Sequence, residues 1–222
     1  MAGRSAGRGR TTRRWAARLL AGLVPLLLAA CNSGPGPADD KPYEQQIEAW
    51  RAAKDVMLRT DPESPIPADQ RATFPGLAYF PIDPAFRAPA ALAENRGGPP
   101  VIIELETSVG QHQRMQRVGI LGFALAGITY HLTAFTDVTT DSMDRLFVPF
   151  GDLTNGSETY GGGRFLDLER TATNLYDLDF NRAYHPYCVY NHGWECPVPP
   201  TENRLAVAIR AGERLRDAKS GQ

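Results

Sequence analysis

Apolar residues recur at helical spacing within the first third of the chain. Tyr43, Ile47, Trp50, Met57 and Leu58 form the stripe, with Glu44, Gln45, Glu48, Arg51, Lys54 and Asp55 largely between them. The spacing predicts an amphipathic helix whose apolar face packs on the main body; Asp39 or Asp40 is placed to cap its start, and Asp61-Pro62 to stop it. From Phe74 onward the period shortens to two. Ile128, Tyr130, Leu132 and Ala134 alternate with Thr129, His131 and Thr133, while Met115, Leu121, Phe123 and Leu125 share one parity upstream, so Ala126-Gly127 falls where a hairpin turn is needed.

Further short strands are expected over Leu77–Ile82, Val101–Glu106, Leu146–Phe150, Arg164–Leu168 and Leu205–Ile209. Gly97-Gly98-Pro99-Pro100, Asn155-Gly156 and Pro197-Val198-Pro199-Pro200 separate them as turn-rich breakers. Strands do not alternate with helices, which argues against a parallel doubly wound sheet. The expected fold is mainly β: an antiparallel barrel or sandwich-like body with one N-terminal amphipathic helix.

The first thirty residues obey different physics. Arg4, Arg8, Arg10, Arg13, Arg14 and Arg18 precede an apolar run from Leu19 to Ala30, with no acid among them. That run is about twelve residues, and a spanning helix needs about twenty. It is followed by Leu28-Ala29-Ala30-Cys31, where small residues admit a signal peptidase and a thiol can take a thioether-linked lipid; this resembles the lipobox of bacterial lipoproteins. Thr12-Arg13-Arg14-Trp15 also resembles a twin-arginine signal, which leaves that route and Sec export both open. Residues 32–40, NSGPGPADD, lack the apolar surface to offset their ordering entropy. The expected organisation is a signal peptide over 1–30, a flexible tether over 31–40 and a single globular β-rich domain over 41–222, in an exported protein held at the envelope membrane through lipid on Cys31.

Removing the leader changes the charge. The chain has 24 basic and 25 acidic residues, and without the six leader arginines 18 basic residues face 25 acidic ones. An acidic body argues against nucleic acid as a partner, and anionic lipid would repel it, so attachment falls to the acyl chains.

The last third is chemically dense. Leu146-Phe147-Val148-Pro149-Phe150 leads into Gly151-Asp152-Leu153-Thr154-Asn155-Gly156-Ser157-Glu158-Thr159-Tyr160, then Gly161-Gly162-Gly163-Arg164-Phe165-Leu166-Asp167-Leu168; Leu178-Asp179-Phe180-Asn181-Arg182-Ala183-Tyr184-His185-Pro186-Tyr187-Cys188 and Pro199-Pro200-Thr201-Glu202-Asn203 follow. At these residues the chain resembles the bacterial domain-of-unknown-function family 1684, with the likeness running from the Trp50-Arg51 helix to Ala211-Gly212-Glu213. The resemblance implies one folding unit and brings no activity with it.

The residues themselves suggest a binding set. Glu158, Asp167 and Asp179 lie near Arg164 and Arg182 in sequence, and Tyr160, Asn181 and Tyr184 can add hydrogen bonds. Gathered in a partly buried mouth, they would orient a small or extended polar ligand or an envelope component, and a carboxylate with a raised pKa would serve a hydrolase as acid or base. Dispersed, the same groups would satisfy buried turns and strand ends instead. Gly161–Gly163 lacks the lysine and serine of a phosphate loop and reads as a turn. No Gly-x-Ser-x-Gly elbow links Ser108, Ser142 or Ser157 to His112 or His131.

With Cys31 lipidated, Cys188 and Cys196 remain as one pair in a disulfide-permissive compartment, and closing that short loop would stabilise the fold by roughly 2–3 kcal/mol. The competing reading is a small zinc site from His185, Cys188, His192 and Cys196. The disulfide is the expectation carried forward, with no metal or cofactor.

Overall fold

The computed structural model describes residues 41–139 and 144–216. The expected signal peptide and tether, Cys31 and the two aspartates expected to cap the helix lie outside the described residues.

The helical stripe forms α1, Tyr43–Thr60, with Ile47 and Leu58 buried. Pro42 occupies the N-cap without a side-chain bond to the first turn; at the far end the Asp61 backbone N–H closes on the Met57 carbonyl at 2.8 Å. Pro62, with no N–H to give, ends the helix there.

Seven strands follow: β1 Arg87–Glu94, β2 Val101–Glu106, β3 His112–Leu125, β4 Ile128–Asp137, β5 Arg145–Phe150, β6 Arg164–Glu169 and β7 Leu175–Asp179. All pairings between them are antiparallel, in the order β6-β5-β4-β3-β1-β7 with β2 also on β3, giving a nearly closed, barrel-like sheet. The long β3 makes this possible by changing partner along one edge. His112–Arg117 pairs with β2, the register shifts between Arg117 and Gly119, and Gly119–Phe123 then pairs with β1. A Cβ on Gly119 would stand 2.4 Å from the Ala93 carbonyl oxygen, so the bend requires glycine. Ala126 and Gly127, both at positive φ, make the two-residue turn between β3 and β4.

Strand alternation sorts the side chains. Leu121, Phe123, Leu132, Leu146, Val148, Phe150, Leu166 and Leu178 point into one core, closed by Phe180, Leu205, Ile209 and Ala211. Phe180 is its hub, 5.6 Å from Phe123 and 5.2 Å edge-on from Phe150. The opposite face of β3–β6 is covered too. Leu105, Met115 and Phe135 form a second cluster, and Phe165, Cys188 and Cys196 a third, with Phe147 packed against both.

Two expected strands are not there. Leu77–Ile82 supplies only a single bridge, Tyr79 to Glu213, and Leu205–Ile209 is irregular. Leu205 and Ile209 are nevertheless buried, because their alternation serves a segment laid across the core rather than a sheet member. Asn203 anchors that segment. β4 and β5 share register only at Phe135 and Phe147. Beside that point the Asn203 side chain accepts from the Thr133 N–H at 2.7 Å and donates to the Thr133 carbonyl at 2.9 Å and the Pro149 carbonyl at 2.7 Å. One amide thus does the work of several ladder bonds.

Candidate functional site

The outward residues of β5 and β6 are what the core alternation leaves over. Leu146, Val148, Leu166 and Leu168 face inward, so Arg145, Phe147, Phe165, Asp167 and Glu169 face the other way, with Arg145 opposite Glu169 and Phe147 opposite Asp167 in register. Tyr184 extends this row across the sheet edge by a two-bond bridge to Phe165. Phe147 meets Phe165 edge-on at 4.7 Å and Phe165 meets Tyr184 edge-on at 5.8 Å.

α1 stands over one side of this floor and the 186–197 loop over the other. Between them opens a groove of about 1340 Å³, walled by Trp50, Lys54 and Met57 from α1 and by Tyr187, Trp194 and Pro197 from the loop. A second depression of about 660 Å³ adjoins it, reaching Tyr43, Arg87, Asp177, Asp179 and Arg182. Trp50, Arg145, Asp167, Glu169 and Tyr184 line both.

At that junction the Tyr184 hydroxyl donates to Asp167 Oδ2 at 2.8 Å. The groove walls withhold solvent from the Asp167 carboxyl and raise its pKa, while the Tyr184 hydroxyl, Arg145 and Lys54 pull it back. Desolvation, then the neighbouring Asp167 charge, holds Tyr184 well above the ordinary phenol value, so it remains a donor. Lys54 lies 4.2 Å over the Tyr184 ring and 2.6 Å from Glu213 Oε1, deep behind the groove. Glu213 also accepts from the His185 backbone N–H and the Tyr190 hydroxyl, both at 2.7 Å. The arrangement can grip a ligand with aromatic faces and charged hydrogen bonds, and the upward shift of the Asp167 pKa favours its protonated form more than an ordinary aspartate's.

The eight expected ligand-binding residues do not converge. Asp167 and Tyr184 sit at the junction, and Asp179 and Arg182 line the second depression. Asp179 accepts from the Tyr43 hydroxyl at 2.9 Å and from the Asn181 backbone, and Arg182 lies 3.6 Å from it. The other four line neither depression. Glu158 pairs with Arg210 at 2.9 Å; Asn181 is fully buried and spans Asp83, Asp179 and Tyr43. Tyr160 packs on the cysteine cluster, and Arg164 is buried against Asp152 at 2.9 Å. Trp50, Lys54, Arg145, Glu169 and Trp194 were not among the expected residues. Trp50 reads as helix stripe, and the only sign of Arg145 and Glu169 was their parity, opposite to the core residues of β5 and β6.

The cysteine expectation is overturned. Cys188 and Cys196 are both buried free thiols, with the Cys188 backbone N–H directed at Cys196 Sγ at 3.3 Å. Burial pushes the Cys196 thiol up to about 12, which keeps it protonated and poor at thiolate chemistry. The zinc alternative fares no better. His192 is exposed, whereas His185 is buried with Nε2 accepting the Tyr160 backbone N–H at 3.3 Å, and among the described residues no group of three or more His, Cys, Asp or Glu side chains is placed to hold a metal. His112 and His131 are exposed strand residues, and Tyr160–Gly163 forms a turn closed at 3.0 Å.

His185 makes stability depend on pH. Desolvation, helped by Arg164 and Lys54 and opposed by Glu213, lowers its pKa to about 4. An unfolded histidine titrates near 6.5. The unfolded chain therefore gains the proton first, so stability is intact above pH 6.5, falls between 6.5 and 4 and levels below, by about 3 kcal/mol in all. Urea unfolding of wild type and His185→Gln across that window is expected to give a difference between the two profiles of this size and sign. Parallel profiles would contradict it.

A family model described as "Protein of unknown function (DUF1684)" matches residues 72–214. The match begins after α1, so the sheet floor and the 186–197 wall lie inside it and the Trp50–Lys54 wall outside. The solution NMR structure of an uncharacterized protein of Haloarcula marismortui is similar to this chain with a TM-score of 0.63 and 38% identity, covering 80% of this chain and 96% of that one. No curated protein matches it.

Proposed function

The chain belongs to the family of proteins of unknown function DUF1684, and from that premise we propose that it is a cell-envelope binding protein, held at the membrane by lipid on Cys31, that seats a small or extended polar ligand in the groove between α1 and β5–β6. The observation that carries this reading is the meeting of both depressions at Asp167 and Tyr184, where an aromatic row, a phenol donor and a carboxylate are held side by side. A concave, partly apolar site with a few convergent polar groups is the usual setting for ligand recognition. The binding set expected around Glu158–Arg182 thereby contracts to Asp167, Asp179, Arg182 and Tyr184 and gains the groove walls. As for attachment, no described helix is long and apolar enough to cross a membrane. The lipobox-like Leu28-Ala29-Ala30-Cys31 supports an acyl anchor instead.

A second reading, a hydrolase, draws on the raised Asp167 pKa, which would let that carboxyl act as general acid. Tyr184→Phe and Asp167→Asn separate the two. A panel of oligosaccharides and short peptides, scored by ligand-dependent thermal stabilisation, is expected to yield a ligand whose affinity each substitution weakens by about 10–100-fold, the worth of one charge-assisted hydrogen bond. Melting without ligand is expected to stay within a few degrees. Turnover of the bound compound, abolished in Asp167→Asn, would favour the hydrolase. Unchanged affinity in both variants would remove the groove from consideration.

A further inference from the structure

Resting on the groove reading above, we infer that the ligand is a neutral oligosaccharide lying through both depressions, with one ring over the aromatic row of the larger and the chain continuing past Tyr184 toward Arg182.

The aromatic side chains decide the shape of what fits. Phe147 and Tyr184 flank the groove floor around buried Phe165, while Trp50 on one wall and Trp194 on the other are partly exposed. Flat apolar surfaces of this kind suit the C–H faces of sugar rings, which bury apolar area while leaving the ring hydroxyls at the edges. The polar groups decide the charge. Lys54, Arg145 and Gln113 can donate, Asp167, Glu169 and Glu195 can accept, and the two kinds are interleaved around the same space. An anionic ligand would meet those carboxylates. A cationic one would meet Lys54 and Arg182, which already stand 5.4 Å and 5.7 Å from the Trp50 ring centre. Hydroxyl groups both give and take hydrogen bonds and carry no charge, so they match a rim of mixed sign.

Two observations set the length and disfavour a peptide. The larger concavity, about 1340 Å³, exceeds the span of about 300–1,000 Å³ typical for one compact ligand, and five residues are common to it and its neighbour. Extended peptides commonly gain affinity by pairing with a free strand edge. The β6 edge is already taken at Phe165, which exchanges both backbone bonds with Tyr184 at 2.9 and 3.0 Å, so little of this six-residue strand is left for a peptide to pair with.

The test uses the full chain in a zwitterionic detergent without a sugar headgroup. Cellohexaose, maltohexaose, xylohexaose and chitohexaose are titrated by calorimetry and tryptophan fluorescence, beside the matching disaccharides, hexagalacturonate, hexalysine and a neutral Gly-Ser hexapeptide. At least one neutral hexasaccharide is expected to saturate and to bind tenfold or more tightly than its disaccharide. Trp194→Ala, in a protein that retains its circular dichroism spectrum, is expected to weaken the hexasaccharide tenfold or more. Arg182→Ala is expected to weaken the hexasaccharide and leave the disaccharide unchanged, a result that a merely structural role would not give. Binding of the peptide or a charged oligomer, sensitive to Asp167→Asn, with no saccharide bound, overturns the saccharide and keeps the groove. Saturation by none of the probes overturns both.

Discussion

Asp152→Ala is expected to destabilise the protein by about 3–5 kcal/mol, because it leaves the Arg164 guanidinium charged, dry and unpaired. Arg164 and Asp152 side chains are both fully buried, 2.9 Å apart. Burial pulls the guanidinium below its ordinary pKa, and the Asp152 charge is the main opposing influence. The pair is also structural glue. Arg164 donates through one terminal nitrogen to the carbonyls of Ala211 and Glu213 and through the other to Ile209, so β6 grips the C-terminal segment through a planar fork. Asp152 uses its second oxygen to accept from Thr154 and the Ile209 N–H. Urea denaturation followed by tryptophan fluorescence measures the loss, and a cost under about 1 kcal/mol would mean that water reaches the site. Arg164→Lys is expected to be nearly as damaging, since an ammonium lacks the fork that spans three carbonyls and a carboxylate. The double change Asp152→Leu with Arg164→Met is expected to recover much of the stability, the removal of both charges being cheaper than the removal of one.

Lys54→Met carries the second large effect. Glu213 is 1% exposed and Lys54 12%. Removing the ammonium leaves a buried carboxylate with the Tyr190 hydroxyl and the His185 N–H as its remaining partners, at a cost of about 3 kcal/mol, the lower end of the range for broken buried pairs. The reverse change, Glu213→Gln, is expected to cost less, because Lys54 is the more accessible partner and its flexible stem can turn the charge to water. That asymmetry is the useful readout: equal losses would show that the hydrogen bonds matter more than the charge. Because Lys54 also lies over the Tyr184 ring, Lys54→Met is expected to weaken ligand binding beyond what the stability loss explains.

Much of the fold could be read from periodicity, and the exceptions have physical causes. α1, β2, β5, β6 and the β3–β4 hairpin all came from clear patterns of apolar residues. β1 did not, because Arg87–Glu94 is alanine-rich and contains Pro89, a composition with little intrinsic strand preference. Its Ala88, Ala90 and Leu92 face the core, so tertiary burial selects the strand. β7 is only five residues long, preceded by Thr171, Thr173 and Asn174 and carrying Asp177 and Asp179, residues that read as loop. The site was harder. Arg164 and Asn181 look like ligand-binding residues because polar side chains in a dense motif carry no mark of depth, yet both serve the interior. Asp167 was found by its chemistry, whereas Trp50 and Trp194 are more than a hundred residues apart and meet across the groove only through the tertiary fold.

Asn203 has a consequence for the order in which the molecule can be assembled. Before β5 the sheet holds two local hairpins, β2–β3 and β3–β4, with β1 on the far half of β3, and β5 with β6 forms another compact pair, but the seam between β4 and β5 depends on an amide more than fifty residues downstream of Pro149. During synthesis the two halves can each zip up early, while their union waits for nearly the whole polypeptide to emerge. Until then the seam is an open edge, which makes it the place where a half-made chain would seek the wrong neighbour.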